Sequence, residues 1–260
     1  METNPFDSPR TETQEPVAPD KPRWKPTVVD CLVVGFIILI LIGLLIPATT
    51  SHPRRAPTFR SVMRLKAIGV ALHYYCDEHG TLPPTYVTDD TGQPLYSWRV
   101  LVLPYLDEKD LFDRFDLSQA WDSKANLPLV QEMPECYANP WAPGKEVIGE
   151  TSYLALVDKK HGKTVLRPDN ARTLSEIPDG AEASAMVVSH PEKFVVWTAP
   201  TDIDPLDFIA ASAGWTPDDD SPDTVLLLMA NGVVFRGQEE VEHNLVPAAF
   251  CDDGRIGKVR

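Results

Sequence analysis

The sequence predicts an α+β protein, with helices in its first half, an antiparallel sheet in its second, and an apolar segment ahead of both. Three observations predict this. Residues 32–46 are fifteen apolar or glycine residues in a row, followed by Pro47. Between residues 59 and 133 the apolar residues recur mainly at helical spacing. Beyond residue 150 the runs become short and β-rich, and Asn231-Gly232 separates the last two of them.

Residues 1–26 hold six prolines, five acidic and four basic residues and few large apolar groups, so they cannot bury a core and read as a disordered tail. From Thr27 to Pro47 there are 21 residues, against the ~20 that cross ~30 Å of hydrocarbon. A cleaved signal peptide carries its apolar run nearer the start and ends it in a small-x-small site. Here the run begins after residue 26 and Ala48-Thr49-Thr50 matches such a site poorly, so 27–47 reads as a retained transmembrane helix. Lys21, Arg23 and Lys25 precede it and Arg54, Arg55 and Arg60 follow, so flanking charge does not orient it. Asp30 sits near the helix N-terminus, where a carboxylate can lie at headgroup level and is favoured by the helix dipole. Pro53 and Pro57 then make 48–58 a short stiff linker.

The domain itself spans 59–260. Phe59, Val62, Leu65, Ile68, Leu72 and Tyr75 share a helical face, Arg60, Arg64 and Lys66 fall mainly elsewhere, and Gly80 is the stop. In "SWRVLVLPYL" (97–106) Ser97 can cap a short helix, although Pro104 and the β-rich run also suit a strand. Helical periodicity continues through 107–115, and 124–133 reads as another short helix. Strands are expected at 151–157, 184–190, 193–198 and 224–237. Asn231-Gly232 predicts a two-residue hairpin turn with φ > 0 at both positions.

A formal charge of −14 argues against nucleic acid, whose binding depends on phosphate neutralisation by Lys and Arg. Cys31 lies in the apolar segment. Cys76, Cys136 and Cys251 leave one thiol over in any pairing, and no C-x-x-C occurs. "DKKHGKT" (158–164) has Val157 where a phosphate loop needs glycine, so it reads as a solvated turn. His73 and Asp77, four apart, could face one metal ion, but no further ligand is identifiable and a helix-surface pair is the default. Asp218, Asp219, Asp220 and Asp223 form a calcium-type carboxylate cluster without the glycine and glutamate of an EF-hand, and 202–207 is a sparser version. A solvated acidic loop is expected there. No nucleophile elbow or H-E-x-x-H is present, so no catalytic, cofactor or metal residue is assigned and no enzymatic activity is expected.

"LKAIGVALHYYCDEHGTLPPTY" (65–86) and "GQPLYSWRVLVLPYLDEKDLFDRFDLSQAWDSKAN" (92–126) closely resemble the pilin-like proteins of the domain-of-unknown-function 1559 family, abundant in planctomycetes. "IPDGAEASAMVV" (177–188) and "VVWTAPTDI" (195–203) are similar to its later Asp-Gly and Trp-Thr-x-Pro motifs, so the resemblance runs from residue 27 to about 236. It implies a prepilin-like segment leading into a pilin-like helix, short helices and a sheet, with Asp30 at the place of the pilin glutamate and Pro47 at that of the proline. The family's cleavage glycine and following phenylalanine fall on Lys25 and Pro26, and its late histidine and Asp-Gly on Ser221 and Asn231-Gly232. In a filament the glutamate pairs with a neighbour's free N-terminal amine, which needs cleavage at the glycine. The resemblance therefore implies an uncleaved single-pass protein of the inner membrane, with residues 1–26 cytoplasmic and the domain outside. Its expected partners are the bilayer, through 27–47, and other pilin-like or envelope proteins. A processed subunit of a secretion or pilus-like filament, and a binding module with a calcium-type loop, are the alternatives.

Overall fold

The computed structural model describes residues 27–49, 55–140, 149–168, 171–212 and 225–236, with the backbone alone at 43–49, 55–56 and 212. The chain divides into two units, Met1–Ser51 and His52–Arg260.

In the first unit helix α1 spans Val28–Thr49 and continues two residues beyond Pro47. Its start is a reciprocal box. The Thr27 hydroxyl accepts from the Asp30 N–H at 3.3 Å, while the Asp30 carboxylate accepts from the Thr27 N–H and hydroxyl, both at 2.8 Å. The large apolar side chains between 28 and 42 are exposed. Among the described residues no helix is long and apolar enough to cross a membrane. The side chains of α1 are described only as far as Ile42, and 27–42 covers about 24 Å at the helical rise.

The second unit begins with α2, Arg55–His79. It starts four residues before the expected 59, inside the stretch read as linker. Pro57 lies in the first turn, where a missing N–H costs nothing because those groups have no intrahelical acceptor. Gly80 ends the helix at φ 80°, its N–H closing on the Cys76 carbonyl at 2.8 Å.

A hairpin absent from the sequence expectation follows: β1 (Tyr86–Thr88) pairs antiparallel with β2 (Pro94–Ser97). Its turn is held by the Asp89 carboxylate, which accepts from the N–H groups of Thr91 and Gln93. Ser97 caps α3 (Trp98–Leu101) by accepting from the Arg99 N–H, as the sequence implies. A 3₁₀ turn (Leu103–Leu106) and α4 (Lys109–Phe112) complete the helical part. The segment expected as a helix over 124–133 is instead a 3₁₀ turn at Leu127–Glu132, with Pro128 in its first residues.

Strands β3 (Glu150–Thr151), β4 (Tyr153–Ala155), β5 (Ala185–Ser189), β6 (Val195–Val196), β7 (Leu226–Met229) and β8 (Val234–Arg236) build the second half, with α5 (Pro205–Ser212) between β6 and β7. The main sheet is antiparallel in the order β4-β5-β7-β8, and β3 pairs separately with β6. All four residues of β7 are buried, because the sheet is covered on both faces. Leu226 and Leu228 belong to the core that includes Leu65, Ile68 and Leu72 of α2, whereas Leu227 and Met229 belong to the one around Phe208 of α5. This reads as an unbroken apolar run in sequence while the strand still alternates in space. The molecule is thus α+β, with a helix on each side of an antiparallel sheet.

The turn between β7 and β8 differs from the expected two-residue form. Gly232 N–H bonds to Met229 O at 2.9 Å and Met229 N–H to Val233 O at 2.8 Å. Gly232 has φ 82°, while Asn231 is not in the positive-φ region. This is a three-residue loop, a type I turn closed by a left-handed glycine, and it follows the sheet twist without forcing Asn231 into a left-handed conformation.

Candidate functional site

Two polar centres stand out in the second unit, one sealed and one open. The sealed centre is built from 97–99 and 153–202. Arg99, fully buried, donates from Nη2 to Asp202 Oδ1 at 2.6 Å and to the Tyr153 carbonyl at 2.8 Å, and from Nη1 to Ser97 Oγ at 2.7 Å. Asp202 Oδ1 also accepts from the Ala155 N–H at 2.8 Å. Burial pushes the Asp202 carboxyl above its ordinary value, opposed first by the Arg99 charge and then by these hydrogen bonds. Asp202 Oδ1 is the shared acceptor for the guanidinium and the backbone, and other guanidinium donors meet Ser97 and Tyr153. Around the pair, the Tyr137 and Trp197 rings stack at 5.7 Å and the Trp197 indole N–H donates to the Val130 carbonyl at 3.0 Å. A charge pair with no water access cannot meet a substrate, so this is a structural knot.

The open centre lies where α2 meets the β7–β8 turn. Gly69 lets the helix approach closely: a Cβ there would stand 2.9 Å from Leu228 Cδ1. One turn on, His73 Nε2 is 2.9 Å from the Ala230 carbonyl. A carbonyl only accepts, so the proton is on Nε2. The result is an open cavity of about 370 Å³ lined by Gly69, Val70, His73, Tyr74, Asp77, Asn231 and Gly232. Asn231 spends its Oδ1 on the Val233 N–H at 3.0 Å, which stiffens the turn.

The sequence candidates distribute as follows. His73 and Asp77 do line one cavity, but His73 is directed at Ala230, and among the described residues no three His, Cys, Asp or Glu side chains could hold a metal. Asp218, Asp219, Asp220 and Asp223 lie outside the described residues, as does Cys251. The 202–207 segment is not a ligand loop: Asp202 is in the knot and Asp204 accepts from the Leu206 N–H at the start of α5. At 158–164 the turn expected from the sequence is formed. Burial alone would raise the Asp158 carboxyl, but the N–H groups of His161, Lys163 and Lys160 outweigh it and hold it below the usual value. Cys31, Cys76 and Cys136 are free thiols. Burial, helped by Glu108, pushes the Cys136 thiol up to about 12, so it is inert as a nucleophile at neutral pH.

The knot joins two of the stretches that carry the family resemblance. Arg99 comes from 92–126 and Asp202 from the later 195–203 motif, and Ser97 N–H bonds to the Thr198 carbonyl at 3.0 Å. The family described as a protein of unknown function (DUF1559) matches residues 59–191. The chain belongs to the DUF1559 family. The matched part runs from α2 to the residues just after β5 and so contains Arg99, while Asp202 lies eleven residues beyond it. No curated protein and no solved structure matches the chain. The DUF1559 assignment carries no activity with it, and the site must be read from its own chemistry.

Sequence reasoning missed both centres as units. Arg99 and Asp202 are 103 residues apart, and His73 and Ala230 are 157 apart. The one local signal was a lone Arg in an otherwise apolar run, "WRVLVL", which announces a buried cation in need of an anion.

Proposed function

We propose that this DUF1559 protein is an uncleaved, single-pass membrane protein with a pilin-like domain on the extracytoplasmic side of the inner membrane. It acts by contact with other proteins and without catalysis. The observation that carries the reading is the box at the start of α1. Asp30 occupies the place of the pilin glutamate, yet its carboxylate is bound to its own Thr27. A carboxylate satisfied within its own first turn has no need of a neighbour's amine. Lys25 at the cleavage position points the same way, since the amine is made only by cutting there. The 21-residue apolar span from 27 to 47 supports the anchor.

Membrane fractionation followed by N-terminal sequencing tests this. A membrane-bound protein that keeps residues 1–26, with 48–260 open to protease from outside, is the expected result. Recovery of a soluble, trimmed protein overturns the anchor. A mature chain beginning at Pro26 overturns the uncleaved form and favours a processed filament subunit.

A further inference from the structure

The solvent side of α2 is apolar in an unusual way. Phe59, Met63, Val70 and Tyr74 are 62%, 49%, 53% and 58% exposed, although Leu65, Ile68 and Leu72 on the opposite side are fully buried. With Lys66 and Asp77 they recur every three or four residues, a single seam along the helix. Charge divides this seam. Lys66 stands toward its N-terminal half and Asp77 at its C-terminal end, both exposed, and neither has an ion-pair partner among the described residues. The open cavity of about 370 Å³ lies on this same seam, beside Val70 and Tyr74.

A seam with a cation at Lys66 and an anion at Asp77 is complementary to itself over residues 66–77 when turned end for end. We propose that α2 pairs antiparallel with α2 of a second copy of this chain, about a two-fold axis near residue 72. In that register Lys66 faces Asp77 of the second copy and Val70 faces its Tyr74. Both pairs are centred on residue 72 to within half a residue. The Tyr74 ring of each copy then enters the cavity of the other, between Val70 and the Asn231-Gly232 turn. A parallel pair sets Lys66 on Lys66 and Asp77 on Asp77, and is disfavoured by like charge. In this register Phe59 and Met63 fall past the end of the partner's α2 at His79, so only Val70 and Tyr74 of each copy are apolar contacts and the association is weak and concentration-dependent rather than obligate.

Sedimentation velocity of the full chain in detergent micelles tests the pairing by charge reversal. Lys66→Glu and Asp77→Lys each place like charges opposite one another, and each weakens dimerisation about tenfold or more. The double variant restores the opposite signs and returns to within about threefold of the starting affinity. Both positions are exposed, and circular dichroism checks that the variants keep the fold. A chain that stays monomeric at every concentration overturns the proposal. So does a dimer indifferent to all three variants, as one formed through α1 would be. A double variant no tighter than the single ones also overturns it.

Discussion

The Arg99–Asp202 knot and the His73–Asp77–Asn231 cluster belong to one domain and use similar groups, yet they treat them in opposite ways. In the knot the guanidinium is fully buried and the carboxyl nearly so, and the Arg99 nitrogens each meet an acceptor. In the cluster one histidine nitrogen fixes the helix to the turn, one amide oxygen braces the turn itself, and Asp77 is left to solvent. The difference separates two kinds of polar residue. A buried pair is held because either partner alone would be an uncompensated charge, whereas an exposed carboxylate is free to be used by something else.

The sharpest way to break the comparison is Asp202→Ala, which strands the Arg99 charge in the core. A loss of about 3–5 kcal/mol is expected, read as a lower midpoint in urea unfolding. If the midpoint barely moves, the knot is hydrated and the distinction fails. Next is acidification. His190, 5% exposed, accepts from the Glu192 and Lys193 N–H groups through Nδ1. Burial, followed by the charge of Lys193, lowers its pKa from 6.5 to about 4. Its folded form binds fewer protons than its unfolded form between those values, so its contribution is complete above pH 6.5 and is lost as pH falls towards 4. The expected loss is about 3 kcal/mol, visible as a declining Tm that flattens in a His190→Gln variant. His73→Ala removes one hydrogen bond from Ala230 and costs about 1 kcal/mol by the same unfolding assay. Asp77→Ala, at the open end of the comparison, changes stability by less than about 0.5 kcal/mol. A large effect there would make Asp77 structural and put both centres in one class.

How much of this was legible follows from the range of the interactions. Helix α2 and its stop at Gly80 could be read directly, because the apolar spacing and the left-handed glycine are local. The β7–β8 hairpin could be read as well, although not its turn: Asn-Gly permits both a two-residue and a three-residue loop, and the sheet's twist and hydrogen bonds choose between them. The β1–β2 hairpin was missed because its strands, "YVT" and "PLYS", are short and do not alternate. Its real signal was Asp89 with Gly92 three residues on, a turn pattern rather than a strand pattern. Strand β6 falls within the run expected as a strand over 193–198 and β3 at the start of the one over 151–157, but the length of a two-residue strand and its partner could not be read. The sites were illegible for a further reason. Each joins side chains more than a hundred residues apart, and nothing in one segment states what the other will bring.

Gly69 has a consequence that reaches beyond its contact with Leu228. A helix lying on a sheet can roll about its own axis, and the residues it shows to the outside change with the roll angle. Leu228 fits against Gly69 at a distance that leaves no room for another side chain, and so acts as an index mark on the helix circumference. With that mark fixed, Val70 and Tyr74 are aimed outward and His73 is aimed at the turn. The outward bearing of α2 is therefore set by the one residue in its middle that has no side chain to bear on anything.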